Sequence, residues 1–140
     1  SIVGNSGVLL TTITYVKKAE EKVFYICDAG MNDLIRPPLY DAFHEIVPVT
    51  MPRTPTMITA DIVGPICESS DFLAQGREIE LLEQQAALAV KSAGAYGFSM
   101  SSQYNSRPRS CEILVDGSTY SCIRKRETYD DLVNQQIPNW

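Results

Sequence analysis

Hydrophobic and polar positions alternate in short runs along most of the chain, and the runs are rich in β-branched and aromatic residues. Turn-forming residues such as Gly, Pro and Asp separate one run from the next. Half-buried strands have this pattern, because successive side chains point to opposite faces of a sheet. The runs that predict strands are residues 7–17, 22–30, 45–51, 57–66 and 86–96.

Residues 110–125, "SCEILVDGSTYSCIRK", predict the clearest hairpin. Two alternating runs lie on either side of Asp116-Gly117, a dipeptide that favours tight hairpin turns. The pattern therefore indicates two antiparallel strands near the end of the chain.

The segment "MNDLIRPPLYDAF", residues 31–43, predicts a short helix. Asn32 or Asp33 can cap its first turn. Pro37 and Pro38 must interrupt or restart the helix, because proline lacks the backbone N–H that a helix interior needs.

Two more segments lack strand alternation. Residues 76–85 indicate a polar connection or one or two helical turns, and residues 128–137 predict a short terminal helix capped by Thr128. Short strands at regular spacing with few helices predict a mainly β fold, a Greek-key-like barrel or sandwich. A length of 140 residues suits one domain over residues 1–140.

Composition excludes several function classes. A net charge of −5 and a pI near 4.8 argue against nucleic-acid binding, which needs a basic face. No run of about 18 apolar residues predicts a membrane span, and no signal-peptide pattern opens the chain. Four cysteines without zinc spacing and one histidine argue against a metal site, so we expect reduced thiols and a cytoplasmic protein.

The stretch "GPICESSDF", residues 64–72, places a thiol, Cys67, beside a carboxylate, Glu68, after a Gly-Pro turn. The stretch is typical either of an ordinary turn with an exposed acid and a half-buried thiol, or of a functional site in which the thiol transfers a proton. A cysteine pKa can be tuned towards neutral pH, which general acid catalysis requires.

Two further clusters have the same ambiguity. Arg36 and Tyr40 in "LIRPPLY" share a helix face if the segment is helical, and together they suit a carboxylate. The alternative is a surface arginine and a packed tyrosine. Small residues around Tyr96 in "SAGAYGFSMSSQYNSRP" either form an ordinary loop or allow close approach of an anionic ligand.

The segments "SIVGNSGVLLTTITYVK", "DAGMNDLIRPPLY", "DIVGPICESSDFLAQGRE" and "SAGAYGFSMSSQYNSRPR" closely resemble the C-terminal part of the diaminopimelate decarboxylase family, as does the ending "EILVDG…IRKRETYDDL". The likeness extends from residue 1 to about residue 133. It is specific, since related ornithine and arginine decarboxylases usually carry Asp after the cysteine. Here Glu68 follows Cys67, while Ser70 stands where the family often has Gly.

The resemblance implies a fold-type III enzyme that uses pyridoxal 5'-phosphate, with a TIM barrel before a β-domain of the kind predicted above. The family's cofactor-binding lysine and phosphate loops belong to the barrel. The chain begins at Ser1 without Met, so we expect a cut chain that is inactive alone, with the cofactor's lysine outside it.

The resemblance also implies residue roles. Arg36 and Tyr40 are expected at the distal carboxylate of meso-diaminopimelate, Glu68 at its distal ammonium, and Tyr96 against both cofactor and substrate. Cys67 is expected to protonate the reacting carbon. The family implies a homodimer in which the Cys67 loop serves the neighbouring subunit. Two alternatives stay open: a decarboxylase for another basic amino acid, and a non-catalytic dimerisation or interaction domain.

Overall fold

The computed structural model describes residues 2–20 and 22–137 and divides into two compact units, Ser1–Ser101 and Ser102–Trp140. The prediction of a single domain over residues 1–140 stays a prediction.

The first unit is built on one six-stranded sheet with the order β3-β6-β1-β2-β4-β5. Neighbouring strands pair antiparallel, except that β2 and β4 run parallel. The strands are β1 (Leu9–Lys18), β2 (Val23–Cys27), β3 (Ile46–Pro48), β4 (Met57–Val63), β5 (Phe72–Glu80) and β6 (Ala87–Val90). All five predicted strand runs of this unit are confirmed.

The two edge strands of this sheet, β3 and β5, lie near each other. Nη1 of Arg77 on β5 donates to the carbonyl of His44, just before β3, over 2.8 Å. The same guanidinium lies 4.1 Å from the centroid of the Phe43 ring. The sheet is therefore nearly closed and barrel-like, which confirms the predicted mainly β fold.

The strand β5 corrects one prediction. Residues 76–85 are predicted to form a polar connection or one or two helical turns, but residues 76–80 belong to the strand Phe72–Glu80, and only residues 81–85 form a connection. Gly76 has a φ of 56°, its N–H donates to Oδ1 of Asp61 over 2.7 Å, and the register with β4 shifts nearby. Such a bulge breaks the period-two alternation by which a strand is recognised, and residues 73–74 are both buried.

The predicted first helix forms, as α1 (Arg36–Tyr40), with proline in its first turn. The prediction that Asn32 or Asp33 caps it is wrong, because no side chain caps α1. The carboxylate of Asp33 instead accepts from the N–H of Gly30 over 3.0 Å. This bond closes a tight turn just before the helix, so the helix follows a fixed turn rather than a loose loop.

The core of the first unit lies inside the barrel-like sheet. The buried hydroxyl of Tyr25 donates to the carbonyl of Glu80 over 3.0 Å and accepts from the N–H of Leu82 over 2.8 Å. The fully buried side chains include Ile13, Tyr25, Cys27, Leu34, Ile62, Leu88 and Val90.

The second unit contains the predicted hairpin, β7 (Glu112–Asp116) and β8 (Thr119–Arg124), and the predicted helix, α2 (Tyr129–Val133). Thr128 caps α2 in a capping box with Asp131, which confirms the predicted start of that helix. Among the described residues of both units, no helix is long and apolar enough to cross a membrane.

Candidate functional site

The thiol loop, residues 64–71, connects β4 to β5 and carries Cys67 and Glu68 at its exposed tip. The Glu68 carboxylate accepts from the N–H of Ser69 over 2.9 Å, and the Glu68 carbonyl accepts from the N–H of Asp71 over 3.0 Å. Ile66, only 7% exposed, anchors the base of the loop. The loop is thus a tight turn that presents a thiol and a carboxylate to solvent.

Asp71, at the end of the thiol loop, is buried and bonds to two separate backbone segments. Its Oδ1 accepts from the N–H of Met31 over 2.7 Å, and its Oδ2 accepts from the N–H of Ile66 over 2.5 Å. Asp71 is not among the site residues predicted from the sequence. Its only signal was a second acid close to Cys67, and a sequence pattern cannot tell a buried carboxylate from a solvated one.

Two glycines make room for the Asp71 carboxylate. A Cβ on Gly64 would lie 2.5 Å from both of its oxygens, and a Cβ on Gly30 would lie 2.6 Å from Oδ1. Real Cβ atoms do not approach other atoms so closely. The backbone therefore closes around the carboxylate on two sides, which explains the glycines without any need for a positive φ.

The arginine segment, residues 30–40, leads from that turn into α1 and carries Arg36 and Tyr40. The guanidinium carbon of Arg36 lies 5.9 Å from the centroid of the Tyr96 ring, within the range of a cation–π contact. Nη1 of Arg36 also donates to the carbonyl of Ala95 over 3.4 Å. Nε of Arg36 is buried and has no hydrogen-bond partner among the described residues.

Tyr96 has a strained backbone and an exposed ring. Its φ is 59°, a left-handed conformation that bulky residues rarely adopt, and the residue is 63% exposed. Backbone strain of this kind persists only where the surrounding structure compensates for its energetic cost, and it clusters at functional sites. The Tyr96 ring is thus exposed to solvent, and the guanidinium of Arg36 lies on one side of it.

Tyr40 is the last residue of α1 and is 62% exposed. The prediction that Arg36 and Tyr40 belong to one helical segment is confirmed, since α1 contains both. Arg36, Tyr40 and Tyr96 therefore belong to one region, in which Arg36 touches Tyr96 directly. Cys67 and Glu68 lie on the thiol loop, which joins the arginine segment through Asp71.

The cysteines differ strongly in their surroundings. Cys27 is fully buried, and this burial raises the pKa of its thiol to about 12. Cys67 and Cys122 are exposed, while Cys111 is only half-buried. A thiol must be accessible to exchange a proton with a ligand, so Cys67 has the access that Cys27 lacks.

Comparison with known families decides where the chain belongs. The family model described as "Pyridoxal-dependent decarboxylase, C-terminal sheet domain" matches residues 2–94, more than half of the 140 residues. The chain belongs to this family. As a sheet domain of a pyridoxal-dependent decarboxylase it has the barrel-like architecture described above.

Individual relatives agree with the family. The chain is 53% identical over 137 residues to the diaminopimelate decarboxylase of Aquifex aeolicus, covering 98% of this chain and 32% of that protein. The solved diaminopimelate decarboxylase of M. jannaschii, in co-complex with L-lysine, has a TM-score of 0.92 at 36% identity, covering 98% of this chain and 31% of that one.

A third relative is the solved diaminopimelate decarboxylase of Helicobacter pylori complexed with L-lysine. It has a TM-score of 0.86 at 45% identity, covering 94% of this chain and 32% of that one. The chain thus spans about a third of the length of the relatives it matches.

Proposed function

We propose that this chain is the C-terminal part of a diaminopimelate decarboxylase, which converts meso-2,6-diaminopimelate into L-lysine and CO₂ with pyridoxal 5'-phosphate, in the last step of lysine biosynthesis. The contact between Arg36 and the exposed ring of Tyr96 carries the proposal, because it joins two of the residues expected at one site. The name of the Aquifex aeolicus relative and the L-lysine in two solved relatives support the same reaction.

Arg36 and Tyr40 bind the distal carboxylate of the substrate in this proposal. The substrate has an amino-acid group at each end, so the enzyme must recognise one end while the other reacts. Nη1 of Arg36 is held by the carbonyl of Ala95, while Nε has no partner among the described residues. The guanidinium is a planar fork of N–H donors that suits a carboxylate, and the Tyr40 hydroxyl adds a further donor.

Glu68 binds the distal ammonium. It is exposed at the tip of the thiol loop, and one of its carboxylate oxygens accepts from the N–H of Ser69. That bond orients the carboxylate, and a charge-assisted contact to an ammonium then requires little rearrangement of the side chain.

Cys67 donates the proton that completes the product. The carbon that has lost CO₂ takes a proton from Sγ of Cys67, and the resulting thiolate is reprotonated from solvent. Cys67 is exposed, as this exchange requires. The single histidine, His44, is 3% exposed and its Nδ1 lies 2.9 Å from the carbonyl of Lys91, so it is poorly placed for the same task.

The cofactor fits this chain at Tyr96. When bound, pyridoxal phosphate supplies the electron sink that makes loss of CO₂ possible. The exposed Tyr96 ring offers a face for the cofactor and lies beside the arginine that would hold the substrate. We place the lysine that binds the cofactor outside this chain, and the chain alone is then inactive.

We also propose a cytoplasmic homodimer in which the thiol loop of one subunit serves the active site of the other. The four cysteines all lie among the described residues, and no disulfide joins them. Reduced thiols of this kind support a cytoplasmic location.

The experiment is a substrate comparison on the complete enzyme that contains this chain, loaded with pyridoxal phosphate. We expect CO₂ and L-lysine in equal amounts from meso-diaminopimelate, and much smaller kcat/KM values for ornithine, arginine and lysine. A preference for ornithine or arginine would favour another basic amino acid as substrate. Absence of decarboxylation with every substrate would favour a dimerisation or interaction domain.

A further inference from the structure

One buried carboxylate bonds to both of the backbone segments that carry the proposed site. Asp71 Oδ1 accepts from the N–H of Met31 at the start of the arginine segment, and Oδ2 accepts from the N–H of Ile66 in the thiol loop. We propose that Asp71 is a positioning residue, which holds the thiol loop and the arginine segment of one subunit at a fixed separation. In the proposed homodimer these two segments serve different active sites, so Asp71 acts on both sites. This inference rests on the proposed function for the reaction it would affect.

The position of Met31 is coupled to the position of Arg36 through a short, rigid segment of backbone. The carbonyl of Gly30 accepts from the N–H groups of Asp33 and Leu34 over 2.9 and 3.1 Å, and Leu34 is fully buried in the core. Two residues after Leu34, α1 begins at Arg36. A turn that is hydrogen-bonded at one end and buried at the other has little freedom, so a shift of Met31 would move Arg36 with it.

The position of Ile66 is coupled just as directly to the side chains of Cys67 and Glu68. Ile66 is buried and precedes Cys67 in the chain. The backbone N–H of Asp71 also donates to the carbonyl of Glu68 over 3.0 Å. Side chain and main chain of Asp71 therefore hold both ends of the turn that presents Cys67 and Glu68.

The two carboxylate oxygens of Asp71 have different hydrogen-bond partners, and this makes the proposal specific. Each oxygen of Asp71 accepts from one segment, so an asparagine in its place can serve only one of them, since its NH₂ group cannot accept. Asp71→Asn keeps the size of the side chain and breaks the link between the segments. A bond between a backbone N–H and a charged acceptor is among the stronger hydrogen bonds in proteins.

The matched control is Asp61→Asn. Asp61 on β4 is also a buried carboxylate, and it accepts from the N–H of Gly76 over 2.7 Å and pairs with Lys22 over 2.6 Å. It bonds to neither the thiol loop nor the arginine segment in any of these contacts. A loss of activity that only reflects lost stability should appear in both variants.

The test uses the complete enzyme and begins with wild-type turnover of meso-diaminopimelate, which tests the proposed function separately. Asp71→Asn should lower kcat/KM about tenfold to a hundredfold, the loss typical of a hydrogen bond to a charged group. Asp61→Asn should lower it less than threefold. In a double-mutant cycle, the effect of Asp71→Asn should shrink when Glu68→Gln is already present, because a misplaced loop matters less without its carboxylate.

A second variant and a second measurement keep the test independent of folding and of the substrate. Gly30→Ala retains the carboxylate but displaces it, since the new Cβ would lie 2.6 Å from Oδ1 of Asp71, its nearest neighbour. It should reproduce the kinetic loss and the coupling with Glu68. Hydrogen exchange at the amides of Met31 and Ile66 should accelerate in both variants and not in Asp61→Asn.

The inference is overturned if Asp71→Asn and Asp61→Asn lose equal activity, if the Asp71 and Glu68 effects simply add, or if exchange at Met31 and Ile66 is unchanged. Wild-type enzyme without activity on meso-diaminopimelate rejects the proposed function alone. In that case the exchange measurement still decides whether Asp71 holds the two segments.

Discussion

The guanidinium carbon of Arg36 lies 5.9 Å from the centroid of the Tyr96 ring, and Nη1 of Arg36 donates to the carbonyl of Ala95, which is 59 positions away in sequence. Two clusters that were separate in the sequence are thus one region in the fold. Nε of Arg36 is buried and has no partner among the described residues.

Replacing Arg36 by alanine in the complete enzyme should weaken recognition of the distal carboxylate. We expect kcat/KM for meso-diaminopimelate to fall at least tenfold to a hundredfold, because a charge-assisted contact to the substrate is lost. Any residual activity on lysine, which lacks that carboxylate, should fall much less. The control is Arg53→Ala, which removes an exposed arginine from the loop before β4. Equal losses on both substrates would contradict the assigned role.

Replacing Cys67 by alanine should slow the protonation step. Loss of a general acid typically costs about 10²- to 10⁴-fold in rate. We expect kcat to fall with little change in KM, since Arg36, Tyr40 and Glu68 remain, provided that protonation limits turnover. The measurement compares CO₂ released with lysine formed, and lysine should fall behind CO₂.

The matched control for that experiment is Cys122→Ala, because Cys122 on β8 is also an exposed thiol. It should retain wild-type kcat. Unchanged kcat in Cys67→Ala, with CO₂ and lysine still formed in equal amounts, would show that Cys67 is an ordinary loop thiol without a role in protonation.

The shared active site can be tested by mixing inactive subunits. If Cys67 serves the neighbour of the subunit that contributes Arg36, a dimer of one Cys67→Ala and one Arg36→Ala subunit has one intact site. Random mixing gives half heterodimers with one intact site of two, so about a quarter of wild-type activity should return. Two variants that both carry Cys67→Ala should show no recovery on mixing. No recovery in the first mixture as well would place both residues in the site of their own subunit.

The buried thiol of Cys27 predicts a pH dependence of stability. Its pKa is raised to about 12 in the folded protein, so the folded state keeps the proton that an unfolded thiol loses near pH 9. The stabilisation is complete below pH 9 and is lost as the pH rises from there towards 12. The slope in that window approaches about 1.4 kcal/mol per pH unit.

The measurement is the free energy of unfolding of wild type and Cys27→Ala between pH 8 and pH 11. The variant is less stable throughout because of the cavity, but the difference between the two should shrink as the pH rises. A constant difference across this range would show that the Cys27 thiol does not titrate as predicted.

Local sequence signals predicted the elements of the second unit, whose residues interact mainly with near neighbours. The hairpin at Asp116-Gly117 and the capped helix at Thr128 are examples, because turn and cap geometry depend on a few adjacent residues. The strand β5 was missed because the bulge at Gly76 is stabilised by Asp61 on another strand. No pattern within β5 itself records that contact.

For the site, sequence alone determined the candidate chemistry: a thiol beside an acid, an arginine and a tyrosine at helical spacing, and a tyrosine among small residues. The tertiary structure decided which of these side chains meet and what holds them. Arg36 touches Tyr96 because the sheet brings two distant loops together. Asp71 joins the thiol loop to the arginine segment because the pairing of β2, β4 and β5 brings its carboxylate between two glycines that follow β2 and β4. Burial and long-range hydrogen bonds depend on the whole chain at once, so only the folded structure could show that role.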